Sequence, residues 1–226
     1  MRQLIEIPNF IRFVHEKEWF PRAHYLNAFE RLPTTETRLY GTETMYGDWD
    51  ARILLVLQDW CNDKLLEDRI HNKECDPWSH ERNMKTNNFL RCAFGREGSP
   101  DLLYASALAH LLKKKSNASA TPPVFAKVLP FLAEAMNFTF ENLPRVQVVV
   151  CFGPYAEKVL LKSNCVIDVP NLDTVRNTLS SVTGSRPDGK PLRIFRFDHP
   201  AARTPGNTCD QLCKRAKLVK TSVGAR

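Results

Sequence analysis

The stretch Ile53-Leu54-Leu55-Val56-Leu57-Gln58-Asp59-Trp60 decides the fold. Its five consecutive aliphatics carry no polar alternation, so both faces of the segment are apolar. That is the pattern of a strand buried on both sides in the middle of a parallel sheet. The run then stops in an amide, a carboxylate and an indole. In open α/β sheets ligands bind just beyond the carboxyl ends of the strands, which puts Gln58 and Asp59 at a pocket rim. Near the far end of the chain, Arg193-Ile194-Phe195-Arg196-Phe197-Asp198-His199-Pro200 repeats the design and delivers a histidine to a strand end. If one sheet holds both strands, Asp59 and His199 face each other although 140 positions part them (199 − 59).

Working outward, Asp101-Leu102-Leu103-Tyr104-Ala105-Ser106 predicts a second core strand. It runs into a helix from Ala107 through Leu112, with Ser106 at the junction and Lys113, Lys114 and Lys115 at the helix end. Arg145 to Phe152 predicts a third strand, turned by Gly153-Pro154 into a helix over 155–161. Arg193 to Asp198 is the fourth. Thr121-Pro122-Pro123 is a capped helix start, and 124–138 keeps an apolar face with Pro130 as a kink point. Gly206-Asn207-Thr208 leads into a basic final helix over roughly 208–220. Residues 8–31 read as a helical pair broken at Pro21, and 32–51 as an irregular approach to the first core strand. A long polar loop from Cys61 to Lys85 carries His71, Asp76, Trp78 and His80, and Thr86-Asn87-Asn88 caps a short helix beginning at Phe89. Residues 163–192 read as loops with room for a short strand.

Strands alternating with helices predict an α/β fold. The expectation is a single domain over 1–226, with a central four-stranded parallel sheet flanked by helices and a helical N-terminal extension over 1–50.

A chain of 226 residues with 43% hydrophobic and 25% charged residues has the makeup of an ordinary globular domain. No apolar run approaches the roughly 18 residues of a membrane span, and the first residues lack a signal-peptide core. The expected setting is cytoplasmic, away from membranes. The net charge of +7 favours a polyanionic partner, with a plain solvated basic surface as the even-odds alternative. Seven cysteines, an odd number in a chain read as intracellular, are expected to be free thiols. Cys209 and Cys213 are the only close pair, too few for a zinc site, and Cys151 reads as a small buried apolar residue. Neither a metal nor another cofactor is expected.

There is no glycine-rich phosphate loop and no G-x-S-x-G elbow, which disfavours nucleotide-triphosphate binding, dinucleotide binding and hydrolases of that signature. What remains at the strand ends is a carboxylate and an imidazole, with amide and hydroxyl groups beside aromatics. Such a set stabilises a cationic transition state, orients a water and hydrogen-bonds a leaving group.

These residues resemble the uracil-DNA glycosylase superfamily. Leu57-Gln58-Asp59-Trp60 is similar to its first motif, in which Gly-Gln-Asp-Pro ends the first core strand. Phe197-Asp198-His199-Pro200-Ala201 is similar to its last motif, His-Pro-Ser. Leu102 to Ser106 takes the place of the strand that ends in a base-reading Asn, and Val148 to Ala156 that of the central strand with Gly-x-x-Ala. The four segments run in the family's order from about residue 50 to 215.

The resemblance implies a monomeric enzyme that flips uracil out of DNA and hydrolyses its N-glycosidic bond. Asp59 and His199 take the catalytic roles. Asp59 stabilises the oxocarbenium charge and positions the water; His199 hydrogen-bonds the uracil oxygen. Gln58 and Trp60 shape the pocket, Trp78 or Phe89 stacks on the base, and Ser106, with Asn87 as a compensating amide, stands where the base is read. Gly153, Pro200 and Arg203 approach DNA, Arg203 where a wedge enters the duplex. The lysine run and the basic last helix face phosphates. The sequence departs from the family where Leu57 replaces Gly, Trp60 replaces Pro and Ser106 replaces Asn. The four-cysteine spacing of iron–sulfur members has no counterpart.

Plainer roles stand beside each of these: a helix cap for Asp59 or Ser106, a structural histidine at 199, loop packing for Trp78, a phosphate contact for Arg203. Two other functions remain open at this point. One is a catalytically weakened binder of damaged or abasic DNA on the same fold. The other is an unrelated α/β enzyme acting on nucleosides or nucleotides.

Overall fold

The computed structural model describes residues 25–27, 45–47, 50–57, 89, 102–106, 111–113, 122–200, 202, 204–205 and 207–223. In chain order the strands are β1 (Tyr25–Asn27), β2 (Met45–Gly47), β3 (Ile53–Leu57), β4 (Leu102–Ser106), β5 (Leu111–Lys113), β6 (Val148–Phe152), β7 (Val182–Ser185) and β8 (Pro191–Phe197). The helices are α1 (Pro122–Glu141), α2 (Pro154–Lys162) and α3 (Cys209–Thr221), with a 3₁₀ turn at Leu172–Val175.

The main sheet has the order β2-β4-β3-β6-β8-β7. Its four central strands, β4, β3, β6 and β8, are parallel, and they are the four strands expected from the sequence. The sheet is wider than expected and mixed. β2 pairs antiparallel with β4 at one edge, and β7 pairs antiparallel with β8 at the other. Both edge strands are short, as edges of soluble sheets tend to be. β7 is shielded further by a bridge between Ile167 and Ser185.

The unbroken apolar runs have the cause inferred for them. Ile53 to Leu57 and Val148 to Phe152 are buried along their whole length. One face of the sheet carries Ile53, Leu55, Leu57, Val148, Val150, Phe152, Phe195 and Phe197, packed on Leu212, Ala216 and Val219 of α3. The spacing 212, 216, 219 is one apolar helical stripe. The opposite face meets α2, which buries Ala156, Val159 and Leu160. There Glu157 of α2 receives Arg196 Nε of β8 at 2.7 Å. α1 lies against α2, with Phe125 and Tyr155 ring centroids 4.2 Å apart.

Two expectations are corrected here. Tyr25–Asn27 is a strand where a resumed helix was expected, and Leu111–Lys113 is a strand where a helix and its lysine end were expected. The two pair antiparallel as a separate two-stranded sheet, Tyr25 opposite Lys113 and Asn27 opposite Leu111. Pairing between distant segments outweighs the local helix preference of Ala and Leu. The remainder of the proposed N-terminal helices lies outside the described residues. Among the described residues, no helix is long and apolar enough to cross a membrane.

Candidate functional site

The ladders align the carboxyl ends of the four parallel strands. Ala105 pairs with Val56, Val56 with Cys151, and Cys151 with Arg196. Each strand then runs one residue further, to Ser106, Leu57, Phe152 and Phe197 respectively. Asp59 stands two positions after Leu57, and His199 two positions after Phe197. β6 alone lies between β3 and β8. Two strand spacings separate their ends, roughly 10 Å.

β6 ends at Gly153, whose φ of 89° and ψ of 166° are open only to glycine. Its N–H donates to Phe197 O at 2.9 Å, and its carbonyl accepts from Glu157 N at 3.3 Å. The glycine therefore ties the end of β8 to the start of α2, and Pro154 opens that helix.

His199 is half-buried and Pro200 is buried. The carbonyl of His199 is held twice. His199 O accepts from Ala202 N at 2.8 Å and from Asn207 Nδ2 at 2.8 Å. Just before it, Asp198 sits in a polar nest. Its Oδ2 accepts from Asn177 Nδ2 at 2.8 Å, and its Oδ1 from Arg176 Nε at 3.2 Å. Arg196 Nη1 approaches Oδ1 at 3.5 Å. Burial opposes ionisation of Asp198. The Asn177 bond, the charge and bond of Arg176 and the charge of Arg196 outweigh it and hold the carboxyl below its ordinary value. Asp198 is thus a structural anion that orients the strand end.

Other residues singled out from the sequence fall as follows. Ser106 closes β4, level with Leu57. Phe89 is 1% exposed and meets Phe152 edge-on, with centroids 5.1 Å apart. Its ring packs in the core on the α3 face of the sheet. Gln58, Asp59, Trp60, Trp78, Asn87 and Arg203 lie outside the described residues.

Sequence reasoning passed over three residues. Asn177, Asn207 and Arg215 form the frame behind His199. Arg215 was counted with the surface bases of the last helix, yet it is 3% exposed. Its position was readable, because 215 falls on the same stripe as Leu212, Ala216 and Val219. Lys214, Lys217 and Lys220 face solvent.

Cys151 and Cys165 are buried thiols, and Cys209 is exposed and outside any disulfide. Cys213 is disulfide-bonded, which corrects the expectation of free thiols throughout. Among the described residues, no group of three or more His, Cys, Asp or Glu could hold a metal. A cleft of about 660 Å³ lies at the opposite, amino end of β6 and β8, lined by Arg145, Gln147, Lys190 and Arg193 among others. None of the residues chosen from the sequence lines it. No protein-family model matches the chain, and no curated protein matches it.

Proposed function

We propose that this chain is a DNA repair glycosylase of the uracil-DNA glycosylase type, which flips uracil from DNA and hydrolyses its N-glycosidic bond. The observation that carries the proposal is the register. Asp59 and His199 follow strand ends that share one row and flank β6, with the glycine turn at 153 between them. An acid–base pair set two strands apart at the carboxyl end of a parallel sheet suits a planar base lifted out of its stack. The parallel centre of the sheet and the half-buried setting of His199 agree with this reading.

In the proposed reaction water adds to the sugar C1′ and the bond from C1′ to the base nitrogen breaks. The base leaves with the bonding pair, and an abasic site remains. Asp59 stabilises the cationic sugar and orients the water. His199 hydrogen-bonds the base oxygen on which negative charge grows. Gln58, Trp60, Trp78, Asn87 and Ser106 line the base pocket. Arg203 and the solvent-facing lysines of α3 meet the DNA.

The test is base release from a labelled oligonucleotide carrying one uracil. Wild type is expected to leave an alkali-labile site. Asp59→Asn and His199→Ala are each expected to lose about 10²- to 10⁴-fold in rate. Binding without release from any uracil substrate overturns the enzyme and favours a lesion-binding protein, the reading that Ser106 in place of an asparagine would suit. Release from free nucleosides without salt-sensitive duplex binding would favour a small-molecule enzyme.

A further inference from the structure

We infer that Asn207, held by Arg215, is the positioning residue for His199; this rests on the glycosylase reading for its role, although not for its geometry. Asn207 is 3% exposed. One amide hydrogen goes to His199 O at 2.8 Å and the other to Ala202 O at 3.2 Å. Its Oδ1 accepts from Arg215 Nη1 at 2.9 Å. Arginine only donates, so Arg215 fixes which end of the amide is oxygen and turns the NH₂ toward the loop. Three of the amide's four hydrogen-bonding positions are thereby assigned, and the loop around His199 has one defined setting.

Arg215 reaches further. Its Nη2 donates to Asn177 O at 3.2 Å, and its guanidinium lies 5.3 Å from the ring centroid of Phe197. Asn177 in turn grips Asp198. The residues before and after His199 therefore answer to one guanidinium on α3. Burial works against the charge of Arg215, and the nearby Asp198 supports it. Among the described residues its Nε has no hydrogen-bond partner. A leucine at 215 would extend the stripe of Leu212 and Val219 without that desolvation cost. What a leucine could not do is orient Asn207.

The discriminating variant is Asn207→Asp. A carboxylate keeps the bond to Arg215 and strengthens it by charge, but offers no N–H to the carbonyls of His199 and Ala202. Single-turnover uracil release is measured for wild type, N207D, H199A and the double variant. N207D is expected to slow release about 10- to 100-fold with substrate affinity within about twofold. It is expected to have no further effect in the H199A background, because its action passes through that ring. An equal loss in both backgrounds, or none in either, overturns the inference.

A second readout is independent of catalysis. The His199 ring resonance, assigned by its absence in H199A, is expected to shift in N207D while those of the other five histidines stay in place. An unmoved resonance overturns the inference even if uracil is released. A moved resonance in a protein that releases no base keeps the inference and removes the glycosylase reading. Should N207D not fold, Arg215→Met fills the space against Phe197, frees the Asn207 amide, and is judged by the same two readouts.

Discussion

Asn177 and Asp198 hold each other twice. Asn177 Nδ2 donates to Asp198 Oδ2 at 2.8 Å, and Asp198 N donates back to Asn177 Oδ1 at 2.7 Å. The pair joins the loop after the 3₁₀ turn to the end of β8, and Asn177 N also donates to Arg196 O at 2.9 Å. Asn177 makes these bonds from a left-handed backbone, φ 57°. Two substitutions separate backbone from side chain. Asn177→Gly keeps the φ and removes the amide, leaving a buried N–H and a buried carboxylate oxygen each short of a partner. It is expected to cost about 1–3 kcal/mol. Asn177→Ala adds the left-handed penalty of about 1–2 kcal/mol. Urea unfolding of both checks the order; an alanine variant as stable as the glycine one refutes the backbone share.

Asp198 carries a pH dependence whose sign follows from its setting. Its folded pKa is held below the ordinary 3.8 by Asn177, Arg176 and Arg196, against the effect of burial. The ionised group therefore stabilises the fold at pH values above the ordinary pKa. That contribution is lost as pH falls from the ordinary value through the depressed one. Asp198→Asn is expected to be less stable at neutral pH and to lose less on acidification. In Asn177→Gly the folded pKa rises toward the ordinary value, so its acid limb should also be shallower. Denaturant midpoints between about pH 2 and 6 decide this; an unchanged slope in D198N would remove Asp198 as a source.

β3 and β6 were legible because burial on both faces leaves an unbroken apolar run, as in Ile53–Leu57 and Val148–Phe152. α3 was legible from its capping threonine, Thr208, which accepts from Gln211 N at 3.3 Å. The β1–β5 pair was not legible. Its strands are three residues each, and what makes them strands is a partner about 85 positions away. Of the candidate site, the strand ends at Leu57, Ser106, Phe152 and Phe197 were legible as positions in a row, since strand ends follow from strand runs. Its supporting frame was not. Asn177 meets Asp198 across 21 positions, and no local pattern announces such a contact. Arg215 was misread because it was counted by charge, whereas its place on the apolar stripe decides where it points.

Arg196 and Glu157 form a buried ion pair whose breakage has a one-sided cost. The side chains are 3% and 17% exposed, and Nε meets Oε2 at 2.7 Å. Arg196 Nη1 also donates to Phe197 O at 2.7 Å, so the same guanidinium steadies the end of β8. Glu157→Ala leaves that charge buried without its nearest partner and is expected to destabilise by about 3–5 kcal/mol. The double variant Glu157→Ala/Arg196→Met removes the stranded charge and should recover part of this loss. A double variant no more stable than E157A would show that the strand end depends on Arg196 for more than charge balance.

The cysteines divide into classes that a thiol reagent can tell apart. Burial and, to a lesser degree, Glu157 push the Cys151 thiol far up. Burial pushes Cys165 up to about 12, with Ser163 Oγ beside its sulfur at 2.7 Å opposing the shift. Neither supplies thiolate at neutral pH, and neither is accessible, so both resist alkylation in the folded state. Cys209 is exposed and not in a disulfide, and should react first. Cys213, one turn further along α3, is disulfide-bonded and should label only after reduction. Residue-resolved mass spectrometry of native, reduced and unfolded samples is expected to give the order Cys209, then Cys213 with reductant, then Cys151 and Cys165 on unfolding. Rapid native labelling at Cys151 would contradict the packing of β6 between β3 and β8, because its sulfur becomes reachable only if that centre opens.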